Sequence, residues 1–490
     1  MTALLRPLAV AALVLSIPAG AAAKGPAKGP VRGPLQRQLD AIANRPPFAG
    51  AFWGLEVRGL RSGKVLYARN AEKSLRPAST MKLVTTAAAL DAFGPEQRIK
   101  TTVETAGRLD GLGRVLGDVY LVGRGDPNLS GRFSEGRITA ALEELTAGLK
   151  AAGVKRIEGR VIGHEGLFQG ERRGDDWSWE DLVWWYGAEV SALAFNDNSA
   201  DLKVTAGERV GDPVVVDRNP LSAYYSVTST AITGAAGSEG TLTLTKAPGS
   251  NVIRLTGSYP WGKEAWENSV ALEDPARYAA TVFVEVLEAG GIRVTGGAAT
   301  SSDPLPPSLR VLTAHDGPPM AEVIKAVNKP SQNLHAEMLL RLLGVRVKGA
   351  GSVEAGREAV IDFLKRMGVK PDAWALQDGS GLSGSDLLSP HEMVNLLLAM
   401  DRHPQAKVFR DSLPIAGVDG TLKSRMTGTA AAGRIQAKTG TLRQVNALAG
   451  YATPKSGEPL VFSMVVNHHT SGSREAVAAI DALCNALVGK

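Results

Sequence analysis

The two ends of this chain carry the same kind of elements, and that likeness narrows the folds open to it. Near the start, a helical pattern over 35–44 precedes two strand-like runs, 51–60 and 64–69, which Arg61, Ser62 and Gly63 separate as a hairpin turn. Near the end, the runs 446–451 and 460–466 flank a turn at 454–457, and a helical pattern over 473–487 follows. A hairpin alone cannot bury both faces, so the economical arrangement is one domain whose sheet is shared by both chain ends. The middle of the chain is then a guest within it.

That middle, residues 101–305, is β-rich and punctuated by glycine, with one helical interval near 138–152. Period-2 alternation at 241–245 marks a half-buried strand, and Pro304, Pro306 and Pro307 mark a boundary. The expected organisation is a split domain over 35–100 and 306–490, interrupted by an inserted region of two nested domains. Helical patterns then run to Lys438.

At 490 residues and 44% hydrophobic content the chain can build several cores. Its 55 Lys+Arg against 49 Asp+Glu leave a net +6, too thinly spread to predict nucleic acid as a partner. Cys484 is the single cysteine, which excludes an intramolecular disulfide and a multi-thiolate metal site. Residues 1–23 combine Arg6, an uncharged Leu/Val/Ala run and Ala21–Ala23, the pattern of a secretory signal peptide. Pro18 and Gly20 favour cleavage over a retained anchor. Residues 24–34 repeat a basic residue before Gly-Pro and read as an exposed tether. The mature chain is expected outside the cytoplasm with no stable transmembrane segment.

Chemistry concentrates in three short motifs. Ser79-Thr80-Met81-Lys82 opens a helical run that stops at Gly94-Pro95, so a hydroxyl and an amine three positions apart share one helix face. Serine becomes a nucleophile when a neighbouring base takes its proton, and lysine can be that base only if its pKa falls well below about 10.4. Burial and a second cation both push in that direction. Ser331-Gln332-Asn333 offers a hydroxyl for proton relay and an amide, although Ser331 could instead simply cap the helix that follows Pro330. Lys438-Thr439-Gly440-Thr441 offers a cation, a hydroxyl and a glycine against which a substrate backbone can lie.

The ordered triple Ser-x-x-Lys, Ser-x-Asn, Lys-Thr-Gly resembles the penicillin-binding proteins and serine β-lactamases. The long interval between Ser79 and Ser331 exceeds what a compact β-lactamase can hold and resembles the class C low-molecular-mass penicillin-binding proteins. Those are D-alanyl-D-alanine carboxypeptidases and endopeptidases. Gly123-Arg124-Gly125-Asp126-Pro127, the 177–181 segment, the 378–383 segment and 413–422 fit the same family.

This resemblance implies an α+β fold, an antiparallel sheet flanked by helices and split by the insertion. It implies Ser79 as nucleophile, Lys82 as general base, Ser331 and Lys438 as a proton relay to the departing amine, and Asn333 as a positioning amide. Backbone N–H groups of Ser79 and Thr441 would form the oxyanion hole, with Lys438, Thr439 and Thr441 holding the substrate's terminal carboxylate beside Gly440. Peptidoglycan stem peptides are the implied substrate, β-lactam antibiotics the implied inhibitors, and the periplasm the implied location; no cofactor or metal is implied. Asp181 matches a family acid that faces the amino group of the third stem residue. Where the family carries an arginine after Asp-Gly-Ser-Gly-Leu-Ser, this chain has Gly384 and Ser385, and Arg443 is the candidate replacement.

Other signals lead nowhere. Gly257 to Lys263 nearly spells a phosphate loop, but Glu264 stands where a Mg²⁺-binding hydroxyl belongs. His391-Glu392 opens like a zinc-protease helix, yet Asn395 replaces the second ligand. Arg124-Gly125-Asp126 reads as a turn, and the tryptophans at 177, 179, 184 and 185 read as packing at a domain junction rather than a carbohydrate platform. Two other functions suit the same scaffold: a non-catalytic wall-binding or penicillin-sensing protein, and a serine β-lactamase or esterase.

Overall fold

The computed structural model describes residues 33–371 and 374–489. The expected signal peptide and most of the expected basic tether lie outside the described residues. Among the described residues, no helix is long and apolar enough to cross a membrane.

Both chain ends meet in one five-stranded antiparallel sheet ordered Val65–Arg69, Phe52–Gly59, Leu460–Asn467, Val445–Ala452, Ile435–Leu442. The first hairpin docks on the last through an unbroken register from Phe52 opposite Asn467 to Gly59 opposite Leu460. Every residue of the two strands Val445–Ala452 and Leu460–Asn467 is buried, so both sheet faces are covered. On one face, Trp53, Leu448, Phe462 and Met464 pack against the terminal helices Pro34–Ala43 and Ser473–Val488. On the other, Ala449, Tyr451 and Val461 join a cluster built by Lys82–Phe93, Met320–Asn328, Asn333–Lys348, Val353–Arg366 and Pro390–Asp401. Cys484 is free and buried in the first of these layers.

The inserted region is less uniformly β than its composition implies. Besides Ala140–Ala151 it holds a second helix, Pro275–Ala289, which corrects the expectation of one helical interval. Thr281, Val282, Val284 and Val286 give that segment a strand-like content, but Asp274 accepts the Arg277 N–H as its N-cap and Gly290 ends it. The region's largest sheet has five strands, ordered Ala298–Ser301, Val161–His164, Val119–Val122, Arg98–Thr105, Arg310–Pro319, and the first three run parallel. The strands by which the chain leaves and re-enters the half that holds the shared sheet, Arg98–Thr105 and Arg310–Pro319, pair with each other. The boundary expected at 100 therefore falls inside a strand, and that at 306 in the Pro-rich link between two strands of this sheet.

Candidate active site

Ser79 sits in the 3₁₀ turn Ala78–Met81 that runs directly into the helix Lys82–Phe93. Ala78 is held at φ +48°, and Thr80 donates from its backbone N–H and its hydroxyl to the Pro77 carbonyl, which fixes the turn. The helix that follows is buried from Lys82 through Leu90, so Lys82 projects into protein rather than water.

The Lys82 Nζ has three partners: Ser79 Oγ at 2.9 Å, Asn333 Oδ1 at 2.6 Å and the Ser380 carbonyl at 2.7 Å. Two of them can only accept, and the Asn333 amide is oriented by its own Nδ2 donating to the Tyr186 carbonyl at 2.8 Å. A neutral amine therefore spends both N–H bonds on Asn333 and Ser380, and its lone pair faces the Ser79 hydroxyl. Burial lowers the Lys82 pKa from the ordinary 10.5 to about 7, against the opposing pull of Asp378, Glu337 and Asp386. Burial also pushes Glu337 up to about 7 with help from Asp378, and raises Asp386 strongly.

A second amine–hydroxyl couple stands beside the first. Lys438 Nζ donates to Ser331 Oγ and to the Thr439 carbonyl, each at 2.8 Å. Its pKa is driven well down, first by burial and then by the charge of Lys82. Ser331 does not cap the following helix: Gln332 is the N-cap residue, and Ser331 is turned to φ +69°, its hydroxyl oxygen accepting from Lys438.

These groups share a cavity of about 470 Å³ whose lining includes Ser79, Ser331, Asn333, Thr439, Thr441, Asp181 and Arg443, with the two lysine amines beneath. Gly440 completes the wall: a Cβ there would stand 2.7 Å from the Pro77 carbonyl and 3.1 Å from the Ser79 nitrogen. Absence of a side chain lets the Ile435–Leu442 strand lie directly on the nucleophile turn. Thr439 donates its hydroxyl to Thr421 Oγ1 at 2.9 Å. Asp181 accepts from the Tyr186 hydroxyl at 3.2 Å, and burial raises both, Tyr186 to about 12. Arg443 reaches across the mouth to Glu180 Oε2 at 2.5 Å.

Glu337 gave no signal in the sequence, whereas Asp378 opens the 378–383 segment already singled out. Glu337 accepts the N–H groups of Gly379 and Ser380 at 3.0 and 2.8 Å, and Asp378 accepts those of Ser380, Gly381 and Ser383. Together they shape the turn whose carbonyl holds Lys82. Trp177 donates to Asp378 Oδ2 at 3.0 Å, as expected of junction packing, whereas Trp179 is 78% exposed and Trp185 lines the catalytic cavity. Arg124-Gly125-Asp126 is a bend, with Gly125 at φ +87°, that leads into a bridge between Asp126 and Leu193 rather than the expected tight turn.

A half-buried serine held by a buried lysine at a helix start, walled by the edge of an antiparallel sheet, places this fold among the penicillin-binding and serine β-lactamase-like proteins. Within that class the chain belongs to the D-Ala-D-Ala carboxypeptidase 3 (S13) family, whose model matches residues 35–487. A D-alanyl-D-alanine carboxypeptidase of Actinomadura sp. (strain R39) is 36% identical over 454 residues, covering 90% of this chain and 82% of that protein. D-alanyl-D-alanine carboxypeptidase DacB of Haemophilus influenzae is 25% identical over 433 residues, covering 87% and 88%. The crystal structure of penicillin binding protein 4 (dacB) from Haemophilus influenzae superposes with a TM-score of 0.79 at 24% identity, over 92% of this chain and 98% of that one, a likeness of fold.

Proposed function

We propose that the chain is a serine DD-peptidase that opens the D-Ala-D-Ala bond of peptidoglycan stem peptides, and D-Ala-diaminopimelate cross-links, through an acyl-enzyme on Ser79. The observation that carries this reading is the Lys82 amine, whose two N–H bonds are taken by acceptors and whose third position faces the Ser79 hydroxyl. Ser79 Oγ attacks the carbonyl carbon as its proton passes to Lys82. The C–N bond then breaks, and the departing amine takes a proton through Ser331 and Lys438, which are already hydrogen bonded. Water hydrolyses the ester and returns a proton to Ser79.

The N–H groups of Ser79 and Thr441 receive the developing oxyanion, where each donor is worth about 3 to 4 kcal/mol of barrier. The contact of Gly440 with the Ser79 turn supports that pairing. A terminal carboxylate entering beside Thr439 and Thr441 restores the charge of Lys438 that burial disfavours. Asp181 and Arg443 line the same cavity with opposite charges and read the third stem residue. The catalytic half comprises about 35–97 and 320–489, and the insert opens with the strand Arg98–Thr105 and closes with its partner Arg310–Pro319. Penicillin, whose strained amide presents the same carbonyl, acylates Ser79. The periplasm is the location that fits the leader pattern and the substrate.

A fluorescent penicillin separates this reading from its rivals. Slow loss of label marks a DD-peptidase, rapid loss a β-lactamase, and no label a binding protein. Ser79→Ala is expected to abolish both labelling and D-alanine release from a D-Ala-D-Ala peptide; turnover by that variant would end the nucleophile assignment.

A further inference from the structure

Outside the catalytic cavity, a second groove of about 580 Å³ lies against it, and Trp185 lines both. Its floor is the three-stranded antiparallel sheet Val215–Asn219, Ser199–Thr205, Trp266–Ala271. Cross-strand partners point to the same face, as do residues two apart along a strand. The register aligns Asn219, Asp201 and Ser269 in one row and Asp217, Lys203 and Glu267 in the next, so six polar side chains share one face. Leu202, between the two rows, turns the other way into the core.

Lys203, Asp217, Asn219 and Glu267 are exposed, while Asp201 and Ser269 are half-buried and joined by a 2.5 Å hydrogen bond. Lys203 is paired with Glu267 at 3.4 Å. With Asp201, Asp217 and Glu267 against Lys203 and Arg218, the groove keeps only a slight negative excess that does not favour polyanions, and an apolar ligand would strip these groups of water without replacing their hydrogen bonds. Carboxylates and an amide beside an aromatic ring instead suit a neutral ligand with many hydroxyl and amide groups, whose donors meet the carboxylates and whose C–H face lies on the ring.

Trp185 is placed there by the chain itself. A β-bridge between Trp184 and Val270 fixes its backbone at the Trp266–Ala271 strand, and its ring meets that of Tyr186 edge to face at 5.8 Å. The Tyr186 carbonyl in turn holds Asn333. Trp185 is thus a wall common to the groove and the catalytic cavity, and its neighbour Tyr186 lines the latter.

We infer that this sheet face is a carbohydrate subsite that binds the N-acetylated glycan to which a stem peptide is attached. The inference rests on the DD-peptidase reading and extends it to the part of the substrate that does not react. Binding energy from that remote part then favours glycan-linked peptides over free ones.

The test compares kcat/KM for a free D-Ala-D-Ala pentapeptide with that for the same peptide on its N-acetylhexosamine disaccharide, in wild type and in an Asp217→Ala/Asn219→Ala variant. The wild type is expected to prefer the disaccharide-linked peptide. The variant is expected to lose about 10-fold on that substrate, the size of one or two hydrogen bonds, and nothing on the free peptide. No preference in the wild type, or equal losses on both substrates, overturns the subsite. Failure of the wild type to cleave either peptide overturns the DD-peptidase reading instead. The groove is then judged by calorimetric titration with chitotetraose: heat seen in wild type and absent in the variant supports it, and no heat in wild type rejects it.

Discussion

Lys82 exchanges its proton close to neutrality, so the competence of Ser79 is tied to pH. Folding holds this amine at about 7 where the unfolded chain holds it near the ordinary 10.5, so the folded state carries fewer protons between those values. Its burial is therefore most costly to stability below about 7, and the cost fades as pH rises through that window. The rate of penicillin acylation is expected to rise with pH and inflect near 7. Because the Glu337 charge pulls the Lys82 pKa upward, Glu337→Gln should move the inflection to lower pH while its amide oxygen still accepts the backbone N–H groups. An unmoved profile would remove Glu337 from the account. From the sequence alone, Ser79, Lys82, Ser331, Asn333 and Lys438 were legible because their spacing is a motif. Glu337 and Asp386 were not, since an acid in a helix or loop reads as solvated until the fold buries it, and Asp378 was legible only as part of the 378–383 segment, without its role in shaping the turn. The origin of the lysine shifts was only half legible: burial dominates both, and the second cation acts on Lys438.

Among elements, the decisive contact is that of the Ile435–Leu442 strand with the Ala78–Met81 turn. Gly440→Ala should push the strand off that turn, because the new Cβ would meet the Pro77 carbonyl and the Ser79 nitrogen while the rest of the sheet stays paired. Stopped-flow acylation is expected to slow by at least about 100-fold, the cost of a misplaced oxyanion donor, with thermal unfolding little changed. Wild-type rates in that variant would show that this wall does not contribute. Hairpins and terminal helices were readable from periodicity and turn residues, and the observed strands Phe52–Gly59 and Leu460–Asn467 lie within a residue of the runs read from the sequence. The helix Pro275–Ala289 was hidden by its β-branched residues, although the Asp274-Pro275 start and the Gly290-Gly291 stop were present. The parallel pairing of Val119–Val122 with Val161–His164 leaves no local mark, because short apolar runs do not disclose their neighbours.

Across the whole molecule, the inserted region helps to build the active site. Its Asp197, at φ +52° between two further left-handed residues, accepts from Arg132 at 2.6 Å and from Gln332 Nε2 at 2.8 Å. Gln332 separates Ser331 from Asn333, so this bond clamps the turn that presents both. Gln332→Ala leaves the Arg132–Asp197 pair intact and is expected to slow acylation about tenfold through a loosened Ser331, as loss of a hydrogen bond to a charged group implies. Equal rates in mutant and wild type would limit the clamp to folding. The pairing of Phe52–Gly59 with Leu460–Asn467 has one more consequence, for the timing of synthesis. A ribosome delivers Ser79 and Lys82 early, but the wall beside them is anchored through strands made near the end of translation. A nascent or prematurely ended polypeptide therefore carries Ser79 beside an uncompleted sheet edge that is open to aggregation. Such a polypeptide is expected to show no acylation until the last strands are in place.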